Sequence, residues 1–243
     1  MIKLNVGWAA SKNVYGVFFW LASILAFIVT ATSVNSSDVF YLGSIGLIVL
    51  GVIALFVNTE PKPLSKLEKL MILTWLLYPL VTALDFFLRT GWNWSQFQEP
   101  SRFLLALPLF FTVRRFGLSK GAMKWGVFVG AVAAGLWAFY QKQELGIERA
   151  FGGTSHNVHV FGDISLLLGF MSVALFQPDW SKDWRWGFVV LTAFSLGVFA
   201  SLASGTKGGW ISAPILCWVM VNLVRRPTYA KRLMVLAVML TAA

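Results

Sequence analysis

Long apolar runs alternate with short polar segments along this chain, and the pattern predicts its secondary structure. The runs are roughly 20 residues long, which is the length an α-helix needs to cross a bilayer core and about twice that of a barrel strand. Eight membrane-spanning helices are predicted, over residues 14–32, 39–57, 68–88, 102–113, 121–140, 160–177, 186–203 and 209–224. The short fourth helix either extends back to Trp94, lies tilted or begins as an interfacial segment. A ninth run, from Arg232 to Ala243, is too short to cross and looks cut off in mid-helix.

Composition supports the same fold class. The 243 residues are 58% hydrophobic and 12% charged, and their mean hydropathy of +0.72 excludes a soluble globular domain. The first run lacks a signal-peptide cleavage site, so we expect it to remain as a helix. The single cysteine, Cys217, leaves no partner for a disulfide within this chain. We therefore expect an all-α, polytopic transmembrane helix bundle that forms one domain over residues 1–243.

The positions of the basic residues predict the orientation of the helices. If the amino terminus is cytoplasmic, 15 of the 20 Lys and Arg residues fall in cytoplasmic segments, as the positive-inside rule requires. The net charge of +10 then reflects topology, and no nucleic-acid partner is expected. The outer side holds the other five: Arg89, Arg102, Lys142, Arg149 and Lys207. We expect a multi-pass protein of a bacterial inner membrane.

Three of the outer basic residues stand in unusual contexts. Arg102 lies at the mouth of the fourth span, Arg149 precedes a Gly152–Gly153 pair, and Lys207 lies in the turn SGTKGG. Glycines beside a cation let backbone amides approach an anion, and a helix that begins after such a turn offers its positive end. We interpret the three cations as the lining of an outward-facing pocket for phosphate groups.

An alternative is that these cations only contact the phosphates of membrane lipids and anchor helix ends. This is the interpretation that we favour for Arg89 and Lys142. Anchoring works with any Lys or Arg near an interface and does not require glycines around the charge.

Two histidines, His156 and His159, lie in the same polar stretch, which reads ERAFGGTSHNVHVFGD from residue 148 to residue 163. Their spacing is compatible with a metal or a general base, but Asp163 is the only nearby downstream carboxylate and no cysteine is close. We therefore expect no metal, and we interpret the histidines as hydrogen-bonding groups that shape the loop and contact substrate. A role for either histidine as a base stays open. Asn157 begins the next helix and is also a candidate cap.

The order of these motifs resembles the O-antigen ligase family, a group of polytopic membrane glycosyltransferases that includes the O-antigen polymerases and some protein O-oligosaccharyltransferases. Arg149, Gly152 or Gly153, and Asn157 match the family's Arg, Gly and Asn. The later turn usually reads Ser-x-Ser-Arg-Gly in the family, so Lys207 is a departure. Lysine keeps the charge but loses the two-pronged geometry of a guanidinium.

The resemblance implies transfer of an O-antigen glycan from undecaprenyl diphosphate to a lipid A-core acceptor on the periplasmic side, without metal or cofactor. It implies that Arg102, Arg149 and Lys207 hold the donor diphosphate, with His156, Asn157 and Gly153 nearby. The chain would be the amino-terminal part of a polypeptide of about twelve spans, and the general base would lie beyond Ala243.

Two other functions stay open at the level of sequence. An O-antigen polymerase or a protein O-oligosaccharyltransferase would use the same donor with a different acceptor. A transporter of lipid-linked substrates is less favoured, because it predicts charges near the bilayer midplane and related repeats in the two halves.

Overall fold

The computed structural model describes residues 12–56, 63–90, 94–153, 157–176 and 184–207, together with residues 209, 210, 213, 214 and 216. Regular secondary structure in this part of the chain is helical, which confirms the all-α prediction. The helices are α1 (Lys12–Thr32), α2 (Ser37–Phe56), α3 (Lys66–Asp85), α4 (Trp94–Phe116), α5 (Lys120–Gln143), α6 (Val158–Phe176) and α7 (Trp184–Ser204). A π-helical turn, Phe86–Thr90, continues α3.

Six of these helices are long and apolar enough to cross a membrane: α1, α2, α3, α5, α6 and α7. These six candidate spans support the prediction of a membrane protein with transmembrane helices. Helix α4 begins at Trp94, the first of the three alternatives for the fourth span, but it is not among the six. The predicted eighth helix lies mostly outside the described residues, and the run from Arg232 lies entirely outside them.

The chain divides into two compact units, and the prediction of a single domain stays a prediction. Unit 1 comprises Met1–Leu25 and Ser44–Ser119, and unit 2 comprises Ala26–Gly43 and Lys120–Ala243. In unit 1, helices α2 and α4 pack backbone to backbone, because a Cβ on Gly51 would lie 2.0 Å from the carbonyl oxygen of Pro108. One turn further along α4, the buried Thr112 hydroxyl donates to the carbonyl oxygen of Leu47 at 2.8 Å.

An ion pair joins the start of α3 to the end of α4 within unit 1. Ser65 and Glu68 form a capping box, in which the Ser65 hydroxyl accepts from the Glu68 amide and the Glu68 carboxylate accepts from the Ser65 amide. The same carboxylate accepts from Nε of Arg114 at 2.9 Å, and Nη2 of Arg114 donates to the carbonyl of Pro63. Helix α4 ends at Gly117, whose φ of +75° suits glycine.

Unit 2 is built from α5, α6 and α7, which pack through small residues. Small residues let helix backbones approach closely, which is how helices associate where lipid weakens the hydrophobic effect. A Cβ on Gly130 would lie 2.3 Å from the carbonyl oxygen of Thr30, so α5 touches the last turns of α1. A Cβ on Gly197 would lie 3.0 Å from Cα of Gly169, so α6 and α7 are in direct backbone contact. The packed helices α5, α6 and α7 position the loop between α5 and α6.

Candidate functional site

The loop from Glu144 to Asn157 is fixed to the end of α5 by a buried amide. Gln141 donates from Nε2 to the carbonyl of Phe151 at 3.0 Å and accepts from the Phe151 amide at 2.9 Å. Trp137 donates to the same carbonyl from Nε1 at 2.9 Å. Gly146, with φ of +61°, reverses the chain after α5. Because a buried amide with both partners in place is costly to disrupt, residue 151 and its neighbours are held firmly.

The glycine pair after Phe151 packs against the loop between α1 and α2. A Cβ on Gly152 would lie 2.5 Å from the carbonyl oxygen of Val34, and one on Gly153 would lie 2.2 Å from that of Asn35. Both contacts are with backbone, which cannot move aside as a flexible side chain can. The structure thus gives the two glycines a packing role that the sequence interpretation, with its amide contacts to an anion, did not include. Gly152 is buried, whereas Gly153 remains exposed.

Arg149 reaches from this loop to the end of α7. Its Nε donates to the carbonyl of Ser204 at 2.9 Å and its Nη2 donates to that of Gly205 at 3.2 Å. The neighbouring Ala150 amide donates to the carbonyl of Ala203 at 3.0 Å. The last carbonyls of a helix lack partners within the helix and carry the negative end of its dipole. Arg149 therefore caps α7 and fastens the loop to it.

The cap leaves part of the guanidinium available. An arginine has five N–H donors, and two of the five in Arg149 are used on α7. Among the residues that the structure describes, the other three have no protein acceptor, and no carboxylate neutralises the charge. The side chain is exposed. A fixed guanidinium with spare donors and an uncompensated charge is suited to an anion such as phosphate.

The turn that Arg149 contacts also carries Lys207. Gly205 ends α7 with a φ of +66°, and its amide donates to the carbonyl of Leu202 at 2.9 Å. Thr206 is buried and Lys207 is exposed. Within the described residues the Lys207 ammonium has no hydrogen-bond or ion-pair partner. The structure thus brings the Arg149 loop and the Lys207 turn together at one end of unit 2.

The other predicted site residues are placed less completely. Asn157 caps α6, because its Oδ1 accepts from the amide of His159 at 2.9 Å, which confirms its capping role. His159 is exposed on the first turn of α6, while His156 lies outside the described residues. Arg102 belongs to α4 in unit 1, and its side chain lies outside the described residues.

Several residues that shape this site were not singled out from the sequence. Gln141 could have been identified from the sequence, because an amide side chain near the end of an apolar helix needs a hydrogen-bond partner. Ser204 and Thr206 belong to the turn that was compared with the family motif, but nothing in the sequence indicated that their hydroxyls are buried, because small alcohols are common in membrane helices. Asp163, which the sequence analysis considered only in connection with a metal, also lies at this end of unit 2, because a Cβ on Gly209 would lie 2.6 Å from its Oδ1.

Comparison with known proteins gives one relative and no family. No family model matches the chain. It is similar to a protein of Haemophilus influenzae that is described only as uncharacterized, with 27% identity over 181 residues. The similar region covers 73% of this chain and 44% of that protein. The chain thus spans less than half the length of this relative.

Proposed function

We propose that this chain is the amino-terminal part of a bacterial inner-membrane glycosyltransferase of the O-antigen ligase type. It would transfer an O-antigen glycan from undecaprenyl diphosphate to a lipid A-core acceptor at the periplasmic face. The observation that carries the proposal is the exposed, fixed guanidinium of Arg149 beside the turn that ends in Lys207. The motif order that resembles the ligase family supplies the identity of the donor.

The proposed reaction requires stabilisation of a leaving group. The bond between the anomeric carbon and the phosphate oxygen breaks, a bond to the acceptor hydroxyl oxygen forms, and the hydroxyl proton passes to a base. The leaving lipid diphosphate gains negative charge, which cations already in place stabilise without reorganisation. Arg149 would direct its spare donors to the diphosphate, and Lys207 would add a point charge. In the proposal His156, Asn157 and Gly153 line the site, and the base lies beyond Ala243. A role for Arg102, which belongs to unit 1, stays a prediction from the sequence.

The topology that we propose follows from which loops meet. The α1–α2 loop touches the α5–α6 loop inside unit 2, at Val34 and Gly152 and at Asn35 and Gly153. Two loops on one side of a membrane must be separated by an even number of crossings. Helices α2, α3 and α5 are candidate spans, so α4 would have to cross as well, although it carries Glu99, Arg102, Arg114 and Arg115. With a cytoplasmic amino terminus, the Arg149 loop would then face the periplasm.

Cysteine labelling in intact cells tests this topology. In a background with Cys217→Ser, the variant Glu144→Cys should react with a membrane-impermeant maleimide added outside. The matched variant Leu118→Cys, in the turn between α4 and α5, should react only after permeabilisation. Labelling of Leu118→Cys from outside, with Glu144→Cys reacting only after permeabilisation, would show that α4 does not cross.

A transfer assay tests the function. The natural full-length polypeptide, in membrane vesicles with fluorescent undecaprenyl diphosphate-linked oligosaccharide and lipid A-core, should form a glycan-extended lipid. Arg149→Ala should abolish transfer at normal membrane abundance. Lys142→Ala is the matched control and should leave transfer near normal. Lys142 lies in the last turn of α5, and the one acceptor that it has within the described part of the chain is the carbonyl of Glu148. Normal transfer by Arg149→Ala would remove the central claim.

The acceptor is tested in the same vesicles. Lipid A-core, a second lipid-linked oligosaccharide and a hydroxyl-bearing acceptor protein are supplied separately. We expect product with lipid A-core. Product with only the second or third acceptor would instead indicate a polymerase or a protein glycosyltransferase, and no product with any of them would contradict glycosyl transfer.

A further inference from the structure

Two buried hydroxyl groups join the end of α7 to the start of α6. Ser204 is fully buried and Thr206 is 3% exposed. Their oxygens lie 2.7 Å apart, and Thr206 Oγ1 lies 3.0 Å from the carbonyl oxygen of Val158, the first residue of α6. Ser204 Oγ also lies 2.7 Å from the carbonyl oxygen of Ser201. The contact between Thr206 and Val158 spans 48 residues of sequence and connects the turn after α7 to α6.

The two hydroxyl groups have too few protons for all three contacts to be hydrogen bonds at the same time. The two hydroxyls carry two protons, but they make three short contacts. If Ser204 donates to Thr206 and Thr206 donates to Val158, both protons are used in a continuous chain from α7 to α6. In the alternative, Ser204 donates to Ser201 within its own helix, Thr206 donates to Ser204, and the Val158 carbonyl loses Thr206 as a donor. In a third arrangement, Ser204 donates to Ser201 and Thr206 still donates to Val158. The two helices are therefore joined whenever Thr206 donates to Val158, whichever partner Ser204 takes.

The helix α6 approaches this hydroxyl pair at a glycine. A Cβ on Gly162 would lie 2.2 Å from Ser204 Oγ and 2.6 Å from Thr206 Oγ1. Any side chain at position 162 would therefore separate the two hydroxyls or push the helices apart. The absence of a Cβ here leaves the space that the hydroxyl pair needs.

The same turn supplies the acceptors for Arg149. The guanidinium binds the carbonyls of Ser204 and Gly205, and Thr206 directly precedes Lys207. We propose that Thr206 is a positioning residue, whose buried hydroxyl fixes the turn against α6 and thereby sets the positions of both Arg149 and Lys207. The part of this inference that concerns donor binding rests on the proposed function. The part that concerns the geometry does not.

Hydrogen–deuterium exchange tests the geometric part without any activity. In the purified full-length protein, Thr206→Val should raise the exchange rate of the Ala150 and Gly205 amides about tenfold, the effect of losing one buried hydrogen bond. Thr206→Ser keeps the hydroxyl and should restore the slow exchange. Thr192→Val is the matched control, because among the residues with described positions the Thr192 hydroxyl bonds only the carbonyl of Phe188 in its own helix.

Kinetics test the consequence for the donor. We expect Thr206→Val to raise the KM for the undecaprenyl diphosphate-linked donor about tenfold and to leave the KM for the acceptor unchanged. Thr206→Ser should recover most of the donor KM, and Thr192→Val should behave as the natural protein does. A general loss of folded protein would lower kcat per milligram and would not separate the two KM values.

The outcomes distinguish this inference from the proposed function. Unchanged exchange in Thr206→Val would overturn the inference. Faster exchange with an unchanged donor KM would overturn the link from Thr206 to the donor. Faster exchange in a protein that transfers no glycan to any acceptor would uphold the positioning role while the proposed function failed.

Discussion

Arg114 in unit 1 and Arg149 in unit 2 are both fixed by hydrogen bonds near a helix end, but they differ in what neutralises them. Arg114 binds the carboxylate of Glu68 at 2.9 Å, and the two side chains are 20% and 28% exposed. Arg149 binds two main-chain carbonyls, and no carboxylate among the described residues pairs with it. A carbonyl supplies a dipole and not a full negative charge. Arg149 is therefore held in place while its charge stays available.

The comparison separates a structural arginine from one suited to binding. An ion pair between two partly buried side chains uses the charge to join two helices. A guanidinium that caps a helix uses only part of its donors, and the exposed side chain of Arg149 leaves the others for a ligand. This difference, and not the mere presence of an arginine on the outer side, is the reason for assigning the phosphate-binding role to Arg149.

Replacing each arginine by glutamine gives the largest expected contrast. Arg149→Gln should lower transfer by at least about 100-fold, because a fixed donor to the leaving group is lost. Arg114→Gln should leave transfer per folded molecule unchanged and lower the melting temperature only slightly, since the pair is partly screened by solvent. Transfer normalised to the monodisperse protein peak, together with thermal unfolding, measures both effects. An equal loss of transfer in the two variants would break the distinction.

The glycines that end α7 and α4 test how tightly Arg149 must be held. Gly205→Ala and Gly117→Ala both place a Cβ on a residue of positive φ, at a cost of about 1 kcal/mol. Only the first also places it 3.1 Å from Nε of Arg149, whereas the second meets Phe19 at an ordinary 3.6 Å. We expect similar losses in melting temperature. The donor KM should rise about fivefold in Gly205→Ala alone, from misplacement of the guanidinium.

If Gly117→Ala raised the donor KM as much as Gly205→Ala, general strain would explain the effect better than the position of Arg149. If neither variant changed the KM, the guanidinium would tolerate the shift and its geometry would matter less than its charge.

Restoring an arginine at position 207 has the smallest expected effect. Lys207→Arg adds a planar group that can hold two phosphate oxygens, so the donor KM should fall about threefold. Lys120→Arg, at the opposite end of α5 from the Arg149 loop, is the control and should not change it. A higher KM in Lys207→Arg would indicate that this turn accommodates only the narrower ammonium. Initial rates at varied donor concentration decide between these outcomes.

The periodic and compositional features of the sequence were enough to predict the helices. Six of the eight predicted spans correspond to helices that are long and apolar enough to cross a membrane. The fourth predicted helix corresponds to α4, which begins at Trp94 as one of the three alternatives expected. The capping role of Asn157 also follows from local chemistry, since its side chain reaches an amide two residues away. These features depend on neighbours in sequence, which is why they could be derived without a structure.

The packing of the candidate site could not be derived in this way. The sequence set Gly152 and Gly153 beside a cation and suggested amide contacts to an anion, but the structure places them against the carbonyls of Val34 and Asn35. Gln141 was missed, and the contact of the Thr206 hydroxyl was not predicted, because their partners are backbone groups outside their own helix or turn. Any residue supplies such groups, so no residue type marks them.

The sequence alone thus determined the all-helical class, the approximate helices and the uneven distribution of Lys and Arg along the chain, because hydrophobicity and charge act over one helix or one loop at a time. Only the tertiary structure decided that Arg149 caps a helix that ends 55 residues later. That contact exists because small residues bring α5, α6 and α7 close enough for the loops at one end of unit 2 to meet. The distance between two loops depends on helix packing, and no local pattern contains it.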